Sequence, residues 1–146
     1  MHLAQFNLAR LRAPLDDPAT EGFTANLDRI NHLADASPGF VWRLVEKDDA
    51  VFNPFEDEMV IVTMSVWESH QALFDFTYRT THLEFLRGRR QWFEHTEEQT
   101  VVLWWVPEGH RPTVQEGRER LELLRAEGPG PKAFTFRERF EPEPAR

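Results

Sequence analysis

The chain has 146 residues, of which 40% are apolar and 29% charged, and a formal net charge of −8; these values are ordinary for one globular domain. The acidic balance argues against nucleic acid as a partner, because phosphate binding needs a basic surface. Cysteine is absent, which excludes disulfides and thiol catalysis, and no apolar run approaches the ~20 residues of a membrane span. We expect a cytoplasmic protein that binds neither nucleic acid nor membrane.

The first half of the chain predicts a strand, a helix and two further strands. Alternating polarity indicates the strands, and apolar residues at helical spacing indicate the helix. The expected bounds are His2–Leu11, Thr20–Ala36, Phe40–Glu46 and Met59–Trp67.

The second half predicts a long helix, a strand, a second helix and a last strand. The long helix should run from Ser69 to about Glu94 with a restart near Thr80, and Thr113 with Glu116 resembles a capping box for the second helix. The two strands are expected at Thr100–Val106 and Ala133–Phe140. The order is that of an α+β, ferredoxin-like βαββαβ core with a C-terminal αβ extension. We expect a single domain over residues 1–140 and a disordered tail over 141–146.

The pattern of the buried strands predicts a partner. Met59–Trp67 and Thr100–Val106 are apolar at nearly every position, which indicates burial on both faces of the sheet. In a ferredoxin-like unit the helices cover one face only. A homodimer that packs sheet against sheet would bury the other face and leave a cavity between the sheet and the helices.

Strand alternation also suggests which side chains line that cavity. One parity of each strand keeps polar members, and we expect it to face a ligand while the apolar parity meets the helices. This mixed parity comprises Gln5 and Asn7; Thr63, Ser65 and Trp67; and Thr100, Val102 and Trp104.

Several motifs resemble a known family. They are Tyr78-Arg79-Thr80 with His82, the runs Arg87–Phe93 and Leu103–Pro107, Gly109-His110 and Ala133–Phe136. Across nearly its whole length the chain is similar to the dimeric α/β-barrel superfamily, and within it to the family named domain of unknown function 3291. The resemblance implies a dimeric α/β barrel related to antibiotic-biosynthesis and haem-degrading monooxygenases. Haem-degrading members use an asparagine, a tryptophan and a histidine that are similar to Asn7, Trp67 and His82, and His82 would be the haem ligand.

The residues themselves suggest a small-molecule site around His82. A neutral imidazole can act as a general base, so we assign catalytic roles to His82, Asn7 and Arg79. Substrate-binding roles are assigned to Trp67, Tyr78, Arg87, Trp92 and Trp104. The structural alternative is a hydrogen-bonded histidine at a helix start, solvated arginines and core tryptophans. The six histidines lack the spacing of a zinc site, so no metal is expected unless haem binds.

Three functions remain open at this point. The first is a monooxygenase-like or isomerase-like enzyme that acts on a small aromatic or anionic substrate; it would need no nucleotide cofactor, because the chain has no G-x-G-x-x-G or phosphate loop. The second is a haem-binding or haem-degrading protein. The third is a non-catalytic homodimer that binds a ligand or a partner.

Overall fold

The computed structural model describes residues 1–13, 17–18, 21–44, 59–79 and 89–142, with the backbone alone for 22–28 and 89–90. Four strands and four helices are found in this part of the chain. In chain order they are β1 (His2–Arg10), α1 (Glu21–Ala36), β2 (Phe40–Arg43), β3 (Val60–Trp67), α2 (His70–Arg79), α3 (Arg89–Trp92), β4 (Val101–Val106) and α4 (Val114–Glu127).

The strands form one antiparallel sheet in the order β2-β3-β1-β4. This is the order of the ferredoxin-like fold, so the predicted fold class is confirmed. Most boundaries agree with the sequence analysis to within one or two residues. The long predicted helix is represented by α2 and α3, and its expected restart near Thr80 lies outside the described residues.

One face of the sheet packs against α1 and α2. The apolar cluster on this side joins Leu3, Trp67 and Leu103 from the strands to Ile30 of α1 and Leu73 of α2. We call it the α1/α2 face.

The other face packs against α4, and we call it the α4 face. Its cluster joins Phe6, Met64 and Trp104 from the strands to Leu121 and Leu124 of α4, and Phe6 is 0% exposed. A helix of the same chain thus covers the face that was expected to need a second subunit. Burial of the sheet therefore no longer requires a homodimer, whose existence stays a prediction for sedimentation analysis to check.

The start of α4 follows the sequence closely. Thr113 is the N-cap, and its side chain accepts a hydrogen bond from the Glu116 N–H, as the first half of a capping box requires. The Glu116 side chain does not complete the box, because its two oxygens bond to Trp104 and His110 instead. α4 ends at Gly128, whose φ of 78° is readily adopted by glycine.

The expected last strand at Ala133–Phe140 is wrong. Phe134 alone pairs with β4, through two 2.9 Å backbone hydrogen bonds with Leu103. The chain then turns, because the Thr135 hydroxyl accepts the Glu138 N–H at 3.0 Å. Alternating phenylalanines here contact different elements instead of one sheet face. We call residues 133–142 the C-terminal strap; it packs on the core with its phenylalanines in the α1/α2-face cluster, as expected for the extension.

Candidate functional site

Four polar residues form a compact block on the α1/α2 face. The antiparallel register of β1 and β3 sets Gln5 opposite Ser65 and Asn7 opposite Thr63. All four belong to the same strand parity as the buried Leu3, so they lie on the α1/α2 face of the sheet. Thr63 is exposed and the other three are half-buried. We call Gln5, Asn7, Thr63 and Ser65 the polar block.

A hydrogen-bond chain ties one side of the block to the core. Trp67 Nε1 donates to Ser65 Oγ at 2.9 Å, and Ser65 Oγ donates to Gln5 Oε1 at 3.0 Å. An indole N–H can only donate, whereas a hydroxyl both accepts and donates, so the chain has a fixed direction. The hydrogen bonds end at the side-chain oxygen Gln5 Oε1. Among the residues that the structure describes, none accepts a hydrogen bond from Gln5 Nε2, so its two N–H groups can bind another partner.

The two flanks of the block differ in chemistry. On the β4 side, Val101 is opposite Asn7 and Leu103 is opposite Gln5. On the β2 side, Arg43 is opposite Ser65. The Arg43 guanidinium forms a two-pronged pair with Asp35 of α1, with Nε–Oδ1 at 2.7 Å and Nη2–Oδ2 at 3.2 Å. A ligand on the block would therefore meet an apolar flank and a charge-compensated one.

Sequence reasoning missed Arg43 because of an irregularity in the strand. Regular alternation would place Phe40 and Trp42 on one face. The register shifts between these two residues, so Trp42 packs into the α4-face cluster while Phe40 stays with Trp67. Such a bulge moves every later side chain to the opposite face. Arg43 is thereby brought to the face of the polar block.

Trp67 and Trp104, the two strand tryptophans predicted to bind substrate, are both buried and offer no surface to a ligand. Trp67 is on the expected face, but it is 0% exposed; its ring stacks on Phe76 with centroids 5.1 Å apart and meets the edge of Phe40. Trp67 therefore supports the block from the core. Trp104 was assigned to the same face, and this is wrong, because Ala4 is its partner across β1 and β4 and it packs under α4. Trp105 occupies the block's face instead.

The parity assignment of the strands was thus correct for β1 and β3 and wrong for β4. The expectation that only the apolar parity meets helices is also wrong, since α1 and α2 cover the mixed parity and α4 covers the apolar one. The polar block lies on the sheet face that carries α1 and α2, beside the apolar cluster that packs under them.

Arg79 and Tyr78, two of the residues predicted on the helices, contact other residues and not the block. Arg79 is 70% exposed and pairs with Asp75 of its own helix at 3.5 Å. Tyr78 is 37% exposed, and its ring packs against Phe74 and Phe136. Trp92 is buried, and its backbone oxygen accepts the Arg12 N–H beyond the end of β1. Of the predicted site residues, His82 and Arg87 lie outside the described residues.

Trp67 offers no surface for a haem, because its ring is 0% exposed, is enclosed by Phe40 and Phe76 and donates its only N–H to Ser65. Within the described ranges, no group of three or more His, Cys, Asp or Glu side chains could hold a metal ion. Across the same residues, the helices are too short or too polar to cross a membrane.

The fold is shared with proteins of known structure. SnoaB, a cofactor-independent oxygenase from Streptomyces nogalater, shares this α+β, ferredoxin-like architecture with a TM-score of 0.51 and 16% identity, over 76% of this chain and 98% of that one. A putative antibiotic biosynthesis monooxygenase from Nitrosomonas europaea matches with a TM-score of 0.57 and 10% identity, over 75% of this chain and 94% of that one. Rv0793 from Mycobacterium tuberculosis matches with a TM-score of 0.56 and 14% identity, over 77% of this chain and 100% of that one. At these identities the likeness shows the fold alone, the fold of the antibiotic-biosynthesis-monooxygenase type.

The family is set by sequence. Residues 2–146 match the family described as "Domain of unknown function (DUF3291)", and the chain belongs to it. No protein of curated function matches the chain.

Proposed function

We propose that the polar block is the floor of a small-molecule site, and that the protein is a cofactor-independent oxygenase of the monooxygenase-like barrel type. The observation that carries the proposal is the two-by-two block of Gln5, Asn7, Thr63 and Ser65 beside the apolar cluster of the α1/α2 face. A few polar side chains on a face that is otherwise apolar are typical of a small-molecule site. A ligand oxygen would be a partner for their donors.

The chemistry of the block favours an oxygen-rich aromatic or enolate substrate. Gln5 offers amide N–H donors, Asn7 a carboxamide and Thr63 a hydroxyl, all neutral. Neutral donors aimed at an oxygen stabilise the negative charge that develops when a phenol or an activated methylene loses a proton. The apolar flank of Val101 and Leu103 suits the face of an aromatic ring.

The electron balance restricts the reaction. Without a cofactor, the four electrons that reduce O₂ to two oxide equivalents must come from the substrate. Conversion of a methylene to a carbonyl meets this condition: R₂CH₂ + O₂ gives R₂C=O + H₂O. The substrate carbanion attacks O₂, one oxygen atom stays in the product and the other leaves as water. SnoaB, which has a similar fold, is a cofactor-independent oxygenase, and this supports the choice.

The proton acceptor in the proposal is His82. Its imidazole suits removal of a proton from an activated methylene near neutral pH. Replacement of His82 by alanine should abolish turnover and change the free energy of unfolding by no more than about 1 kcal/mol, as the proposed role in the site requires. A large loss of stability with turnover retained would assign His82 a structural role. Arg79, exposed and paired with Asp75, is left out of the proposed machinery.

The test uses 9-anthrone as a probe with an acidic aromatic methylene, and follows O₂ consumption and anthraquinone formation. Asn7→Leu and Thr63→Val should each lower kcat/KM at least tenfold, since each removes a donor to the oxyanion. Thr100→Val is the matched control, because Thr100 precedes β4 and is not part of the block. Its backbone oxygen accepts a hydrogen bond from the Leu8 N–H, and the substitution leaves this bond in place. The kinetics of this variant should equal those of the unmodified protein.

The other outcomes separate the alternatives. Saturable binding of anthrone or 1-naphthol that depends on Asn7 and Thr63, without O₂ consumption, would indicate a binding protein and not an oxygenase. Equal activity in the Asn7, Thr63 and control variants would place the reaction elsewhere. If neither probe binds, and loss of the block's polar groups raises stability, the block is not a ligand site.

A further inference from the structure

The C-terminal strap is held on the sheet at two points, Phe134 at its inner end and Phe140 at its outer end. Its first contact is the pair of backbone hydrogen bonds between Phe134 and Leu103. Its second is a 2.7 Å hydrogen bond that Trp105 Nε1 donates to the Phe140 carbonyl oxygen. The ring of Phe134 also packs against those of Trp105 and Phe140. These contacts explain why the strap lies on the α1/α2 face.

Its outer end is also held by a histidine. Arg139 Nη1 donates to His70 Nδ1 at 3.2 Å. The His70 ring is parallel to that of Phe74, at 6.4 Å, and meets the edge of Phe136 at 5.9 Å. Tyr78 closes the cluster against the other side of Phe136. The strap and α2 therefore meet around one imidazole.

The contact with Arg139 requires the neutral form of that imidazole. A guanidinium can only donate hydrogen bonds, so Nδ1 must accept and the proton must be on Nε2. Nε2 is itself buried, with no hydrogen-bond partner in the described part of the chain. Protonation would place N–H against N–H, and would add a positive charge in contact with Arg139.

The surrounding charges oppose protonation as well. Burial of His70 lowers its pKa from the ordinary 6.5, Arg139 lowers it further, and Glu141 acts in the opposite direction. His70 is also the first residue of α2, where the positive end of the helix dipole disfavours a cation. The other described side chains in contact with the ring, Phe74 and Phe136, carry no charge.

We propose that the contact between His70 and Arg139 is an acid-sensitive latch, which holds the outer part of the C-terminal strap on α2 when His70 is neutral and releases it when His70 is protonated. The latch does not depend on the proposed oxygenase function. The backbone pair between Phe134 and Leu103 contains no titrating group, so the inner end stays attached. Release removes the support that the Arg139 contact gives to the neighbouring Trp105–Phe140 hydrogen bond. That bond then opens, and the segment from Thr135 onward leaves Phe136 and Tyr78 uncovered.

The direction of the pH effect follows from linkage. Because the pKa of His70 is lower when the strap is docked than when it is free, protons bind preferentially to the released state. Docking is therefore strongest above the ordinary pKa of 6.5 and weakens as the pH falls below it. The weakening is at most about tenfold per pH unit, and it stops below the pKa of the docked form.

The test follows the indole N–H of Trp105, which is hydrogen-bonded to the residue next to Arg139, by NMR in the intact protein. Trp105→Phe assigns the resonance. Between pH 7.5 and 5, indole hydrogen exchange, corrected for its intrinsic pH dependence, should lose about fivefold or more of its protection. The His70 ring protons should titrate over the same range, below 6.5.

Two variants and a control make the result specific. His70→Gln keeps an acceptor for Arg139 but cannot titrate, so its protection should be the same at both pH values. Arg139→Gln removes the positive charge; it should move the His70 titration upward and reduce protection at pH 7.5. His32→Gln, the same change at an exposed position of α1, should behave like the unmodified protein.

The proposal is overturned if Trp105 protection is constant from pH 7.5 to 5 while His70 titrates. It is equally overturned if His70→Gln retains the acid transition. Should His70→Gln fail to fold, Arg139→Gln decides: an unchanged His70 titration and unchanged protection in that variant would show that the two side chains are not coupled.

Discussion

Trp104 Nε1 donates a 2.9 Å hydrogen bond to Glu116 Oε2 across the junction between β4 and α4. The other oxygen, Glu116 Oε1, lies 2.8 Å from His110 Nε2. One carboxylate therefore connects the sheet, the loop before α4 and the first turn of α4. Since the indole is 1% exposed, this connection fixes how α4 is laid on its face of the sheet.

Replacement of Glu116 by alanine should lower the free energy of unfolding by about 2 kcal/mol, because the buried indole N–H of Trp104 loses its acceptor. Urea denaturation measures this. Glu119→Ala is the control, since Glu119 is exposed and bonded only to Gln115 within α4; its change should stay within about 0.5 kcal/mol. Equal losses in the two variants would contradict the role of the Trp104 bond.

Removal of α4 should make the protein aggregate. A chain that ends at Gly109 lacks the whole helix and strap, and it exposes the buried apolar residues of the α4 face, including Phe6, Met64 and Trp104. A contiguous apolar surface of this kind associates. Size-exclusion chromatography should show aggregates, whereas a chain lacking only residues 143–146 should elute unchanged. A soluble monomer ending at Gly109 would mean that α4 is not needed as a cover.

Gly117 lets α4 approach the sheet closely. An alanine Cβ at this position would lie 2.7 Å from Phe6 Cγ, and Phe6 is fully buried. Gly117→Ala should therefore lower the free energy of unfolding by about 1–3 kcal/mol through overpacking, despite the better helix propensity of alanine.

Two further variants test the cause. Gly130→Ala should be nearly neutral, because a Cβ there meets nothing within 4 Å. Phe6→Leu replaces the obstructing ring with a smaller side chain. It should lower the free energy of unfolding less in the Gly117→Ala background than in the native one, as expected for residues in contact. Strict additivity of the two changes would show that the overlap with Phe6 is not the cause.

The chain from Trp67 through Ser65 to Gln5 is expected to be energetically coupled. Ser65→Ala leaves the buried Trp67 N–H without an acceptor and should cost about 1–3 kcal/mol. Trp67→Phe removes the donor, so in that background Ser65→Ala should lower the free energy of unfolding by about 1 kcal/mol less. Guanidinium denaturation of the four proteins of the cycle gives the coupling, and a coupling near zero would show that the 2.9 Å contact contributes no stability.

Local patterns in the sequence determined the elements and their order. The alternation of β1, the helical spacing before Ala36, and Thr113 as a cap all depend on neighbouring residues along the chain, and these features were predicted correctly. That Gln5 and Asn7 share one face was predicted for the same reason. Alternation along a half-buried strand shows which side chains share a face without reference to the rest of the fold.

Three features depended on the tertiary structure. In β4 every position is apolar, so alternation could not separate Trp104 from Trp105, and the register with β1 decided which of them shares a face with the polar block. The bulge in β2 brought Arg43 to the polar block. Most importantly, the second face of the sheet was covered by α4 of the same chain. An apolar strand shows that it must be buried, but only long-range packing decides which element buries it.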